Sequence, residues 1–391
     1  MKIFRNFLDQ IKPNFEKGGK LEKLYPAYDA FETFLFVPDH TSKSGSHIHD
    51  SIDLKRTMFT VIIALLPCLL FGIWNTGNQH FLAIGIENPK LLNCILFGSS
   101  KIIPMIIVSY FVGLSIEFAF AVSRGHSVNE GYLVTGLLIP MIMPVELPLW
   151  MLAVSVAFAV VIGKEVFGGT GMNIWNPALT ARAFLYFAYP TMMSGEKIWT
   201  SLGSQDAVDG YSGATALANA YNGISEKIPN IYDSFIGNIP GSAAETSSLF
   251  VLIGALYLIF TGIGSWRIII SGIFGGIFMG IIFNLFSPSL NSNNLLFSIN
   301  PIHQIFLGGF LFGVVFMATD PVSASQTTMG KYIYGFLVGS LGILIRVVNP
   351  AYPEGIMMSI LFMNTMAPLI DHYVISANIK RRLGRIKPQK L

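Results

Sequence analysis

Apolar segments long enough to cross a bilayer recur along most of this 391-residue sequence. Because a helix of roughly 20 residues spans the hydrocarbon core, each such segment predicts a transmembrane helix. Only 12% of the residues are charged, against about 25% in soluble domains. The sequence therefore predicts an all-α polytopic membrane protein, and nothing in it indicates a nucleic-acid partner.

Hydropathy predicts ten spans. They cover residues 57–76, 102–122, 128–145, 147–165, 174–190, 247–264, 266–286, 302–320, 332–348 and 356–374. Segment 91–100 is apolar but too short to cross the bilayer, so we predict a re-entrant or interfacial piece there.

The basic residues predict the orientation of these spans, since short cytoplasmic loops carry the Lys and Arg excess. Ten spans place 19 basic residues on the side of both termini and four on the other. The N-terminal arm also lacks the apolar core of a cleavable signal. We therefore expect a bacterial cytoplasmic (inner) membrane protein with both termini in the cytoplasm.

Five regions follow from this topology. They are a cytoplasmic arm (1–56), a first five-helix repeat (57–190), an external, periplasmic loop (191–246), a second five-helix repeat (247–374) and a basic cytoplasmic tail (375–391). Because each half has an odd number of spans, the two repeats must be inverted relative to each other.

The third span of each half carries a helix-breaking sequence. The first ends in LLIPMIMP, with Pro140 and Pro144, and the second ends in FMATDPVSAS, with Asp320 and Pro321. Broken helices at matched positions are typical of binding sites at a repeat interface, although a single proline more often marks an ordinary kink or helix end.

The external loop contains the sequence DGYSGATALA, from Asp209 to Ala218. Its small residues would let another group approach the Thr215 hydroxyl closely. Spacing alone leaves three interpretations open: a glycosylated or flexible turn, a reactive hydroxyl, and a site of covalent modification.

Several motifs together resemble one family. The SGAT sequence is similar to a flavin-transferase recognition motif, and it stands among HIHDSIDLKRTM, VNEGYLVTGLLIPMIMP, GKEVFGGTGMNIWNPALTARAF and APLIDHYVISANIKRRLGR. The set resembles the NqrB family, whose members are membrane subunits of the sodium-translocating NADH:quinone oxidoreductases. The RnfD subunits of the Rnf ferredoxin:NAD oxidoreductases are the alternative, but the long arm and HIHDSIDLKR favour the quinone-reducing complex.

This resemblance implies that Thr215 carries FMN through a phosphoester bond attached by a flavin transferase. The recognition turn would consist of Asp209, Gly210, Ser212, Gly213 and Ala214. It further implies non-covalent riboflavin, ubiquinone or menaquinone, and Na⁺. The partners would be the other subunits of a six-subunit complex: an NADH-oxidising flavoprotein, another FMN-bearing subunit and two iron–sulfur membrane subunits, all within membrane lipid.

Gly113 and Glu117 lie one turn apart on the second span, where a glycine would let a flat ring approach the helix. Gly113 resembles a glycine of the family's quinone and inhibitor region. A helix-packing glycine is the competing interpretation, and it is the commoner one in membrane proteins.

Asp320 and Asp371 are further carboxylates within predicted spans, where ionisable residues are costly and often functional. Each could attract Na⁺, because a hard cation prefers carboxylate and carbonyl oxygens. The competing interpretation pairs them with Arg182, Arg346 or a helix end. We predict no metal centre, and we expect Cys68 and Cys94 to be small buried side chains.

A channel or transporter built on the same inverted repeat is the alternative from another functional class. Broken helices at matched positions would suit it equally well. Bound flavin would distinguish the two, since a flavinylated protein is yellow and a channel is colourless.

Overall fold

The computed structural model describes residues 2–16, 18–36, 44–46, 53–125, 131–195, 198–202, 213–287, 294–349 and 355–385. Within these ranges the chain is all-helical. The helices are α1 (Lys2–Ile11), α2 (Tyr25–Leu35), α3 (Leu54–Ala83), α4 (Leu91–Arg124), α5 (Tyr132–Met141), α6 (Leu149–Val161), α7 (Pro177–Ala188), α8 (Ala216–Tyr221), α9 (Ile231–Ile236), α10 (Ser248–Phe260), α11 (Trp266–Phe286), α12 (Pro301–Phe306), α13 (Phe310–Phe312), α14 (Thr328–Val348) and α15 (Ile356–Leu383).

Five helical segments of the described chain are long and apolar enough to cross a membrane. They are Leu54–Ala83, Leu91–Arg124, Leu149–Phe167, Trp266–Phe286 and Thr328–Val348. The chain is thus a multi-pass membrane protein. The interpretation of segment 91–100 as a re-entrant or interfacial piece is wrong, because these residues form the first turns of the 34-residue helix α4.

Side-chain caps fix where several helices begin. Asp53 accepts a hydrogen bond from the Arg56 amide at the start of α3, and Asn176 does the same for two amides of α7, whose first residue is Pro177. Thr327 caps α14 through the Gly330 amide. Such caps satisfy amides that the helix itself leaves unpaired.

The third predicted span of each half is interrupted. In the first half, α5 is only ten residues long and ends one residue after Pro140. In the second half, α12, α13 and a π-helical turn (Gly313–Met317) replace one continuous helix. The predicted breaks at these two positions are therefore present.

The two halves use the same packing partners. In the first, α4 packs on α5 and α6, and α6 packs on α7; in the second, α11 packs on α12 and α14, and α14 packs on α15. Between the halves, α3 packs on α10 and α7 packs on α15. Both cysteines are buried and free, as expected.

Candidate functional site

Thr215 begins the short helix α8. Its hydroxyl accepts a hydrogen bond from the Ala218 amide at 3.3 Å, while Ala214 and Ala216 on either side are buried. The two alanines anchor the backbone, so the threonine side chain has a fixed position. Asp209, Gly210 and Ser212 of the predicted recognition turn lie outside the described residues, whereas Gly213 directly precedes the anchored segment.

Thr215 lines a cavity of about 260 Å³, which we call the Thr215 cavity. Two aromatic side chains, Tyr186 and Trp199, contribute to its wall, as do Arg182 and Glu245. Ligand sites usually combine an apolar and aromatic lining with a few fixed polar groups, at volumes of roughly 300 Å³ and above. The cavity has this character and is close to this size.

A buried ion pair forms the polar side of the cavity. Nη1 of Arg182 lies 3.1 Å from Oε2 of Glu245, and both side chains are 2% exposed. Ser242 donates a second hydrogen bond to the same carboxylate oxygen at 2.6 Å. The sequence analysis missed Glu245, because the pair joins residues 63 positions apart in a loop and a helix.

The end of the external loop is built into the helical body. The amides of Ala243 and Ala244 donate to the carbonyl oxygens of Met143 and Met141 at 3.2 and 3.0 Å. The side-chain amide of Asn75 donates to the Ile239 carbonyl oxygen at 3.0 Å. This part of the predicted loop is therefore buried, and it holds one wall of the Thr215 cavity against α3 and α5.

Gly113 is covered by the ring of Tyr132. A Cβ atom built on Gly113 would lie 1.9 Å from Cζ of Tyr132, and the Tyr132 hydroxyl donates to the Ser109 carbonyl oxygen at 2.8 Å. The flat ring that the glycine admits is thus one of the protein's own side chains. Packing explains this glycine in the structure.

Glu117 forms an ion pair with Lys164, and each side chain is only 4% exposed. Nearby, Arg124 donates to Oε2 of Glu165 at 3.0 Å. Lys164 was assigned to a cytoplasmic turn from the sequence. The structure instead buries it against α4, where it neutralises the intramembrane carboxylate.

Asp320 and Lys164 both line a second cavity, of about 110 Å³, which we call the Asp320 cavity. Its other polar lining residues include Asn173, Asn176 and Thr135. Asp320 accepts hydrogen bonds from the Val322 amide at 3.2 Å and the Ser323 hydroxyl at 2.6 Å. The cavity lies between the two broken spans, because Gly131 at the start of α5 and Phe316 of the π-helical turn both reach it.

Asp371 caps a neighbouring helix. It accepts hydrogen bonds from the Ser325 hydroxyl (2.7 Å), the Gln326 amide (2.7 Å) and both the amide (3.0 Å) and the hydroxyl (2.6 Å) of Thr327. These groups lie directly before α14. The sequence left a sodium path and a helix-end role open for Asp371, and this geometry supports the helix end.

The two intramembrane arginines do not pair with either aspartate. Arg182 pairs with Glu245, and Arg346 donates to the carbonyl oxygens of Gln304 and Leu307. The prediction that these arginines balance Asp320 or Asp371 is wrong. The carboxylates are instead satisfied by hydrogen-bond donors at helix ends and turns.

Comparison with known proteins gives consistent matches. Residues 41–380 match the NQR2, RnfD, RnfE family model. The chain is 47% identical over 405 residues to a Chromohalobacter salexigens protein named as a subunit (NqrB) of Na(+)-translocating NADH-quinone reductase, covering 97% of this chain and 96% of that one. Proteins with the same name from Ectopseudomonas mendocina (47% over 408 residues, 97% and 99% covered) and Azotobacter vinelandii (45% over 410 residues, 98% and 99% covered) are similar to it.

Proposed function

This chain belongs to the NQR2, RnfD, RnfE family, and on that basis we propose that it is the membrane redox subunit of a sodium-translocating NADH:quinone reductase. Its relatives of 45–47% identity over nearly the whole chain carry the name of the NqrB subunit of that enzyme. These matches favour the quinone reductase over an Rnf complex or a passive channel.

The central part of the proposal is covalent FMN on Thr215. The observation that carries it is the position of Thr215 on a cavity that also offers Tyr186 and Trp199 to an aromatic ring and Arg182 to a negative charge. These residues fit a flavin, whose ring system accepts and passes electrons when bound. The protein would contribute orientation, a dry wall and the electrostatic field of the Arg182–Glu245 pair.

The second flavin that the family resemblance implies has matching chemistry in the Asp320 cavity. Side-chain amides, hydroxyls and the Lys164 ammonium line it. Its volume of about 110 Å³ is, however, well below the roughly 300 Å³ of ligand sites. A three-ring flavin does not fit the cavity in this conformation.

For the quinone, we propose the region of Gly113 and Glu117. Because the Tyr132 ring covers Gly113, a quinone ring can reach that glycine only after Tyr132 rotates away. Among the carboxylates, we propose Asp320 ahead of Asp371 for the sodium path. Asp320 faces a cavity, whereas four hydrogen bonds already occupy the oxygens of Asp371.

The topology is part of the same proposal: two inverted five-helix repeats, with both termini in the cytoplasm of a bacterial inner membrane. The equivalent packing pairs of the two halves support the repeat. The broken spans also run in opposite directions. The start of α5 and the end of the π-helical turn reach the Asp320 cavity, while Met141 and Gly309 lie beside the loop segment 244–245.

Flavin fluorescence of the denatured protein tests the proposal. The chain is co-expressed with its flavin transferase and separated on a denaturing gel, which removes non-covalent flavin. We expect a fluorescent band for the wild type and for Thr261→Val, a matched change at an exposed threonine at the end of α10. We expect no fluorescence for Thr215→Val. A fluorescent Thr215→Val band would refute the assignment.

A further inference from the structure

The N-terminal helices expose a set of large apolar side chains that the described part of the chain does not cover. Each is between 42% and 63% exposed; we call them the arm patch, which consists of Phe4, Phe7, Leu21, Leu24, Phe31 and Leu35. Six such residues within 35 positions form an unusual surface. Large exposed apolar patches mark contacts with a protein or a membrane.

The two helices are held together as one unit. The Tyr28 hydroxyl donates to the Leu8 carbonyl oxygen at 3.1 Å, and the rings of Phe15 and Tyr28 stack with centroids 5.1 Å apart. Burial raises the pKa of Tyr28 to about 12, so its hydroxyl remains a donor. Glu32 forms ion pairs with Arg5 at 3.5 Å and Lys12 at 3.3 Å. The patch is therefore presented by a folded arm.

The arm is docked at a definite depth on the membrane domain. The ring of Phe31 on α2 lies 6.0 Å from that of Phe118 on α4. Phe118 precedes the last residue of α4, Arg124, by six positions, or about 9 Å along the axis. The polar interface of a bilayer is roughly 5–7 Å deep on each side. Helix α2 thus contacts α4 near the boundary between headgroups and hydrocarbon.

The charge of the arm selects the occupant of the patch. Residues 1–24 contain six Lys and Arg and three Asp and Glu. A helix that combines an apolar face with a basic excess binds in the interfacial plane of anionic membranes. We propose that α1 and α2 lie flat in the cytoplasmic leaflet, with the arm patch among the acyl chains and the basic side chains at anionic headgroups.

This lipid contact is independent of the flavin chemistry, and depends only on the arm being on the cytoplasmic side. Site-specific fluorescence tests it in the assembled complex, reconstituted into vesicles. A polarity-sensitive probe is attached to Phe4→Cys or to Asn6→Cys, a matched control about 200° around the same helix. Cys68 and Cys94 are buried, and wild-type protein reports any background labelling.

We expect a nitroxide-labelled lipid to quench the probe at position 4 several-fold more strongly than the probe at position 6. The emission at position 4 should shift further to the blue when phosphatidylglycerol replaces phosphatidylcholine. Equal quenching at the two positions would refute the proposal. A probe at position 4 that neither the nitroxide lipid nor aqueous iodide quenches would also overturn it, because another protein of the complex would then cover the patch.

Hydrogen exchange of the unmodified complex provides a second readout that needs no substitution. We expect the amides of residues 2–11 to exchange several-fold more slowly in phosphatidylglycerol vesicles than in phosphatidylcholine vesicles. Equal rates in the two lipids would contradict the role of anionic headgroups.

Discussion

Lys164 and Glu117 form an ion pair inside the helical body, with each side chain only 4% exposed. Lys164 follows the end of α6 and Glu117 lies on α4, so the pair joins two helices of the first half. Lys164 also lines the Asp320 cavity. One ammonium group therefore balances the carboxylate of the proposed quinone region and faces the cavity between the two broken spans.

Removing this ammonium should destabilise the protein strongly. Lys164→Met leaves the Glu117 carboxylate buried without its cation, which costs about 3–5 kcal/mol for a broken buried pair. The double variant Glu117→Gln/Lys164→Met removes both charges and should recover most of that loss. Unfolding in mixed micelles titrated with sodium dodecyl sulfate measures the difference. Equal stability of the double and single variants would show that the pairing is unimportant.

Glu245 should stabilise the wall of the Thr215 cavity. Glu245→Gln leaves Arg182 charged in a site where both side chains are 2% exposed, and we expect a loss of about 3–5 kcal/mol. The amides of residues 239–246 should exchange faster with solvent than in the wild type. Glu226→Gln, at an exposed position of the same loop, is the control and should change neither quantity.

Helices α11 and α14 should tolerate no added side chain where they meet. A Cβ atom on Gly339 would lie 1.9 Å from the carbonyl oxygen of Gly272, so Gly339→Ala must separate the helices. Overpacking of this kind costs about 1–3 kcal/mol. At Gly384 the nearest atom would be 3.4 Å away, and Gly384→Ala should unfold like the wild type. A Gly339→Ala protein with wild-type stability would contradict this tight packing.

Asp320 should matter for sodium more than an exposed carboxylate does. Asp320→Asn removes the negative charge from the cavity and keeps an oxygen that can accept the Val322 and Ser323 hydrogen bonds. We expect the sodium stimulation of quinone reduction to fall several-fold, while Glu87→Gln, at an exposed position, leaves it unchanged. Undiminished stimulation in Asp320→Asn would remove this residue from the sodium path.

The sequence predicted what depends on local pattern. Hydropathy located 266–286 as a span that the structure reproduces as α11 (Trp266–Phe286), and the prolines marked the two interrupted spans. It failed where the answer depends on contacts between distant segments. Segment 91–100 is too short to cross alone, and its continuation into α4 past Pro104 was not evident from its hydropathy.

The candidate site shows the same division. Thr215 was identified because a short motif resembles a modification sequence. Its surroundings were not, since Arg182, Glu245 and Trp199 come from three separate parts of the chain. Nor could the sequence indicate that Tyr132 covers Gly113, because only the packing of α5 on α4 brings the two together.

The most direct test of the central claim is mass spectrometry of the peptide that contains Thr215, from protein co-expressed with its flavin transferase. We predict a mass increase equal to one FMN joined through a phosphoester, with fragment ions that place it on Thr215. An unmodified Thr215 in protein from cells whose transferase modifies another substrate would contradict the account, as would a flavin attached to a different residue.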